Sequence, residues 1–112
     1  MEDRVYAGID LGTTYCSMAL YSPGGKPVVE KNLDNVQDMP SAVYFDMSGE
    51  HIVGTGAKER LPMYPDSTAS FIKQNMGRDV EYVFYKKRYT ASDLSAMIIE
   101  KLVQDISRVS GS

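Results

Sequence analysis

Residues 5–15 read Val-Tyr-Ala-Gly-Ile-Asp-Leu-Gly-Thr-Thr-Tyr, an apolar stretch that runs straight into a carboxylate, a glycine and two hydroxyls. Residues 5–9 fit a buried strand, with Asp10 expected at its mouth. Gly12 allows a sharp turn and a close approach of backbone to an anion, because no side chain stands in the way. The amides and hydroxyls of Thr13 and Thr14 can donate hydrogen bonds to phosphate oxygens. Asp10 suits a hydrated magnesium ion, which keeps most of its waters and usually takes only one or two carboxylates. The residues alone leave a second reading open, a β-hairpin turn Asp-Leu-Gly-Thr with no ligand.

A chain of 112 residues, 43% of them hydrophobic, is long enough for one compact unit with a core. Its net charge of −3 and pI near 5.0 argue against a general binder of nucleic acid or of membrane surfaces. No apolar run has the length of a transmembrane helix, and Met1-Glu2-Asp3-Arg4 does not open a signal peptide. The single cysteine, Cys16, makes no internal disulfide, which fits a reducing cytoplasm, and it reads as a small buried residue on the second strand.

The pattern predicts strands first. A second strand covers 17–21, Ser22-Pro23-Gly24-Gly25-Lys26 punctuates a hairpin, and a third strand covers 27–33. After a polar loop over 34–38, Pro40 precedes a fourth strand over 41–45, and a turn over 46–50 leads to a short fifth over 51–54. One short helix is expected over about 56–61, closed by Pro62. Another is expected over 68–76, with Phe71, Ile72 and Met76 on one side and Gly77 as its stop. Residues 81–89 read as a small aromatic hairpin with Lys86 and Lys87 near its turn. Thr90-Ala91-Ser92-Asp93 then has the form of a capping box with a short acid in place of Glu or Gln. Leu94, Met97, Ile98, Leu102, Ile106 and Val109 follow at helical spacing and predict one buried face. Glu100, Lys101, Gln104 and Arg108 fall largely on the other, and Gly111 is the stop. The seven methionines, Met63, Met76 and Met97 among them, read as core fillers.

Other signals carry little chemistry. Gly54-Thr55-Gly56-Ala57-Lys58 lacks the Gly-x-x-x-x-Gly-Lys-Ser/Thr spacing of a Walker loop. The tyrosines of 82–89 with Lys86, Lys87 and Arg88 read as a hairpin with a charged tip rather than an RNA platform, given the acidic chain. His51, the only histidine, has no partner at zinc-ligand spacing.

The order of landmarks is specific. Gly8-Ile9-Asp10-Leu11-Gly12-Thr13-Thr14-Tyr15 resembles the first phosphate motif of the seventy-kilodalton heat-shock chaperones, the DnaK family, although sugar kinases and other actin-like ATPases carry relatives of it. Met39-Pro40-Ser41-Ala42-Val43-Tyr44-Phe45 resembles that family's Thr-Pro-Ser-x-Val-x-Phe strand. Ile52-Val53-Gly54-Thr55-Gly56-Ala57-Lys58 resembles its Gly-x-x-Ala-Lys segment, followed by Tyr64-Pro65 for the usual Asn-Pro turn. Lys73-Gln74-Asn75-Met76-Gly77-Arg78 resembles its Lys-Arg-x-Ile-Gly-Arg stretch. The resemblance covers most of residues 5–78, and the long last helix matches in place.

The resemblance implies an α/β chain that is part of an actin-like ATPase or ribonuclease H-like fold. About residues 1–38 would be the opening β-hairpins of the first lobe, and about 39–112 its small upper subdomain with the long C-terminal helix. It implies that Gly12, Thr13, Thr14 and Tyr15 cradle the β- and γ-phosphates of ATP or ADP. Asp10 would bind Mg2+ through water, and Lys73 would be the catalytic lysine at the γ-phosphate and attacking water. It further implies a cytoplasmic chaperone that couples ATP hydrolysis to binding of unfolded client proteins through a separate peptide-binding domain. Nucleotide-exchange factors and J-domain co-chaperones would be its partners, with no nucleic acid and no membrane.

Departures from the pattern suggest a divergent member. Cys16 stands where the family usually has Ser, Gln74 replaces the Arg of the Lys-Arg pair, Asn75 replaces an apolar or variable residue, and 79–89 is short. No second phosphate motif of the Asp-x-Gly-Gly-Gly-Thr kind and no adenosine segment occur in these residues, and Ser110-Gly111-Ser112 reads as a break between elements. The expectation is therefore a fragment of a longer protein that binds ATP weakly and hydrolyses it negligibly. The alternatives are a protein-interaction subdomain without its own catalysis, or another actin-like ATPase or sugar kinase. An unpaired sheet edge would leave it open to dimerisation or strand exchange.

Overall fold

The computed structural model describes residues 6–12, 14–21, 26–70 and 81–110. Expectations that rest on Thr13, on residues 22–25, on 71–80 and on Gly111 lie outside the described residues. Lys73, Met76 and the stop at Gly77 are among these.

Among the described residues two larger antiparallel sheets, a two-stranded hairpin and one long helix share a core. In the first sheet β1 (Tyr6–Leu11) pairs with β2 (Tyr15–Tyr21) from Tyr6↔Tyr21 to Leu11↔Cys16. The other side of β2 is divided between β3 (Val28–Glu30) and β4 (Met39–Pro40), which pair with its two ends. The third strand is shorter than expected because Asn32 turns the chain. Its buried side-chain oxygen accepts from the amides of Asp34 at 3.0 Å and Val36 at 3.3 Å, an Asx-type alternative to a ladder.

The second sheet has the order β6–β5–β7, with β5 (Ala42–Phe45) in the centre and β6 (His51–Val53) and β7 (Thr68–Ser70) at the edges. Asp46 organises the β5–β6 turn by accepting from the Ser48 hydroxyl at 2.6 Å and from the Ser48 and Glu50 amides at 2.9 and 3.0 Å. These bonds, the hydroxyl first, hold its carboxyl below the usual aspartate range. Helix α1 (Thr55–Arg60) ends just before Pro62, as its sequence predicts.

The helix expected over 68–76 is corrected in its described part. A 3-10 turn at Pro65–Ser67 leads into β7, whose residues pair Ala42↔Ser70, Val43↔Ala69 and Tyr44↔Thr68. A short run of mixed apolar residues fits either period, and here a free edge of β5 and burial of Ala69 decide for strand.

The aromatic hairpin is β8 (Glu81–Phe84) and β9 (Lys87–Thr90), joined by Tyr85 and Lys86 alone. Both turn residues have positive φ, 52° and 69°, as the right-handed twist of a two-residue hairpin demands. Side chains pay about 1–2 kcal/mol there, which glycine avoids. Lys86→Gly is therefore expected to raise stability by about 1 kcal/mol and the thermal midpoint by several degrees. Circular dichroism melting checks this, and a lowered midpoint contradicts it.

Helix α2 (Ala91–Ser110) opens on a reciprocal capping box. The Asp93 amide donates to the Thr90 hydroxyl at 3.0 Å, and the Thr90 amide donates to the Asp93 carboxylate at 2.8 Å. Leu94, Ile98, Leu102 and Ile106 are buried, and the helix touches strands of all three β-units. They join Cys16, Met18, Met39, Val43, Phe45, Val53 and Phe84 in one cluster.

Three expectations about faces are corrected. Val109 is 39% exposed and Met63 75% exposed, so neither fills the core. Lys101 is only 21% exposed at its side chain, because its ammonium bridges Asp105 at 3.1 Å and Asp34 at 3.4 Å. Asp105 is a buried carboxylate and requires that partner. Among the described residues no helix is long and apolar enough to cross a membrane.

Candidate functional site

The β1–β2 ladder closes at Leu11↔Cys16, so the chain reverses between these two residues. The Gly12 amide donates to the Tyr15 carbonyl at 3.1 Å. A Cβ on Gly12 would collide with that same carbonyl oxygen, so this position needs glycine for space rather than for a left-handed φ.

The reversal is also held from inside. Ser41, just before β5, donates its amide to the Thr14 carbonyl at 2.8 Å and its hydroxyl to the Gly12 carbonyl at 3.0 Å. Cys16 Sγ lies 2.8 Å from the Ser41 oxygen. With the hydroxyl proton directed at Gly12, the thiol is the donor in that contact. Cys16 is buried on β2, as expected, and belongs to the support of the loop.

Strand alternation sorts the remaining residues. Ile9, Leu11, Cys16 and Met18 face the core, which puts Asp10, Tyr15 and Ser17 on the outer face. Asp10 is exposed and stands opposite Ser17 inside the ladder, not at the strand's mouth, because β1 continues through Leu11. The core demands Leu11, and pairing with Cys16 extends the strand by two residues.

Gly12, Thr14, Tyr15 and Asp10 are thus together at one end of the hairpin, whereas Thr13 and Lys73 lie outside the described residues. The structure adds a cation that the sequence reading had not placed there. Lys58, on α1, reaches the Tyr15 hydroxyl at 2.6 Å with its ammonium 4.6 Å from the ring centroid. A small hollow of about 100 Å³ opens beside them, lined by Thr14, Pro40, Ser41, Ala42, Lys58, Leu61 and Ser70. Ser70 ends β7 on that wall, three residues before Lys73. A larger hollow of about 530 Å³ lies elsewhere, against α2, and its Lys101 is already engaged by Asp34 and Asp105. Among the described residues no three metal-ligating side chains converge.

Comparison with known proteins decides the lineage. The family model described as "Hsp70 protein" matches residues 6–87, well over half of the chain. The chain belongs to the Hsp70 family. A curated Hsp70 relative, the chaperone protein DnaK of Thermotoga neapolitana, is 40% identical over 98 residues. That alignment covers 88% of this chain and 16% of the relative, so the chain spans a small part of the DnaK it matches. The Hsp70 match takes in the hairpin end, Ser41, α1 and Lys73, and stops short of α2. The one sequence signal for Lys58 was its place in the Gly-x-x-Ala-Lys segment. Nothing local to that segment says it meets Tyr15, 43 residues away.

Proposed function

We propose that this chain is the opening part of the ATP-binding and ATP-hydrolysing domain of an Hsp70 chaperone, with an actin-like, ribonuclease H-like fold when complete. About residues 1–38 form base hairpins and about 39–112 an upper subdomain. In this reading Gly12, Thr13, Thr14 and Tyr15 hold the β- and γ-phosphates of ATP or ADP, and Lys73 serves the γ-phosphate and the attacking water. The observation that carries the reading is the sharp reversal at Gly12, clamped by Ser41 on its core side, with Thr14 and Tyr15 exposed on the other. It supports a backbone shaped for close approach of an anion.

Asp10 suits the magnesium that accompanies such a nucleotide. An exposed carboxylate that joins no cluster of three ligands among the described residues fits an ion that retains most of its waters, and does not fit a cage of protein ligands. When bound, the ion neutralises phosphate charge. Asp10 itself would anchor its water shell, and the loop amides would orient the phosphates.

In the complete cytoplasmic protein, hydrolysis would switch a peptide-binding domain between tight and loose states for client proteins. Exchange factors and J-domain partners would set the pace. The walls and charges supplied here amount to one side of a cleft, so the 112-residue chain is expected to bind Mg-ATP weakly and to turn it over negligibly.

Nuclear magnetic resonance titration of the chain with millimolar Mg-ATP tests the reading. The amides of Gly12, Thr14 and Tyr15 are expected to shift, and Gly12→Val is expected to abolish the response. Shifts confined to other surfaces, or none at all, overturn it.

A further inference from the structure

Lys58 is exposed, yet its ammonium is committed to a single phenol on another element. Two features make that contact more than decoration. The base of the lysine is fixed, since its amide donates to the Gly54 carbonyl at 3.0 Å and the preceding Ala57 is fully buried. The far end of the contact is equally consequential, because Tyr15 is the residue whose carbonyl accepts the Gly12 amide and closes the reversal. Holding the phenol therefore restrains the residue that shapes the loop.

We propose that Lys58 is a positioning residue for the 12–15 loop, acting through the Tyr15 phenol and fastening the loop to α1. The inference rests on the reading of that loop as a phosphate cradle. Ser41 secures the loop from the core side and Lys58 secures it from the solvent side. Gly12, Thr14 and Tyr15 are thus held in place before any ligand arrives, which lowers the ordering cost of binding. The lysine acts through Tyr15, so the two residues form one unit and their removal is not additive.

Amide hydrogen exchange at Gly12 in the full 112-residue chain reads the clip directly. Lys58→Met and Tyr15→Phe are each expected to speed that exchange about three- to tenfold, the loss of one ordinary hydrogen bond. The double variant is expected to be no faster than either single one, and Lys58→Arg, which keeps a charged donor, is expected to restore much of the protection. Urea midpoints should barely move, which separates a local clip from a general loss of stability. Unchanged exchange in both single variants, or additive effects in the double one, overturns the proposal. The same samples titrated with millimolar Mg-ATP keep the two claims apart. If the wild-type loop ignores nucleotide while its exchange responds to Lys58→Met, the phosphate reading fails and the clip stands. If nucleotide shifts the loop while exchange ignores both substitutions, the clip alone fails.

Discussion

Phe45→Ala is expected to destabilise the chain by about 3–5 kcal/mol. Phe45 is 2% exposed at the end of β5, and its ring stacks on Phe84 at 4.8 Å and on Tyr89 at 4.6 Å between centroids. His51 stands 6.0 Å away across the β5–β6 pair. One side chain therefore ties the second sheet to the β8–β9 hairpin, and that hairpin leads into the capping box of α2. Truncation leaves a cavity among rings that are held in separate strands and cannot close over it. Against the roughly 5–15 kcal/mol that a domain has in total, the loss is about a fifth or more. Urea unfolding measures it, and Phe45→Leu is expected to cost markedly less because most of the volume is kept. A change below about 1 kcal/mol for Phe45→Ala would mean that the ring cluster does not hold the hairpin.

Lys73→Ala, made in the longer Hsp70 protein that we propose this chain opens, is expected to lower ATP turnover by about 10²–10³-fold, the usual effect of removing one group that stabilises transition-state charge. The expected effect is electrostatic. Phosphoryl transfer asks the protein chiefly to position groups and to neutralise charge on the transferred oxygens. The described chain reaches the wall of the Thr14 hollow at Ser70, and Lys73 follows three positions later in the sequence. Single-turnover hydrolysis measures the effect, and the affinity for Mg-ATP is expected to change much less. Unchanged turnover would remove Lys73 from the chemistry and favour the reading of this chain as an interaction subdomain.

Much of the fold could be read locally. The reciprocal bonds of Thr90 and Asp93, the buried row from Leu94 to Ile106, and the end of α1 before Pro62 each depend on residues within one or two turns of each other. The need for glycine at the reversal was equally legible, since what a side chain there would strike is the carbonyl of Tyr15, three residues on. Membership in the Hsp70 family followed from ordered motifs along residues 5–78, which the family match over 6–87 bears out.

Other features depended on partners distant in sequence. Residues 68–70 became a strand because β5 had an edge to offer, and Lys101 left the solvent face because Asp34 and Asp105 drew it in. Ser41 and Cys16 meet across 25 positions, and Lys58 and Tyr15 across 43. Periodicity, caps and tight turns are encoded by neighbours whose geometry the backbone already constrains. Contacts between distant segments exist only after the core has closed the intervening loops, and no local pattern carries that information.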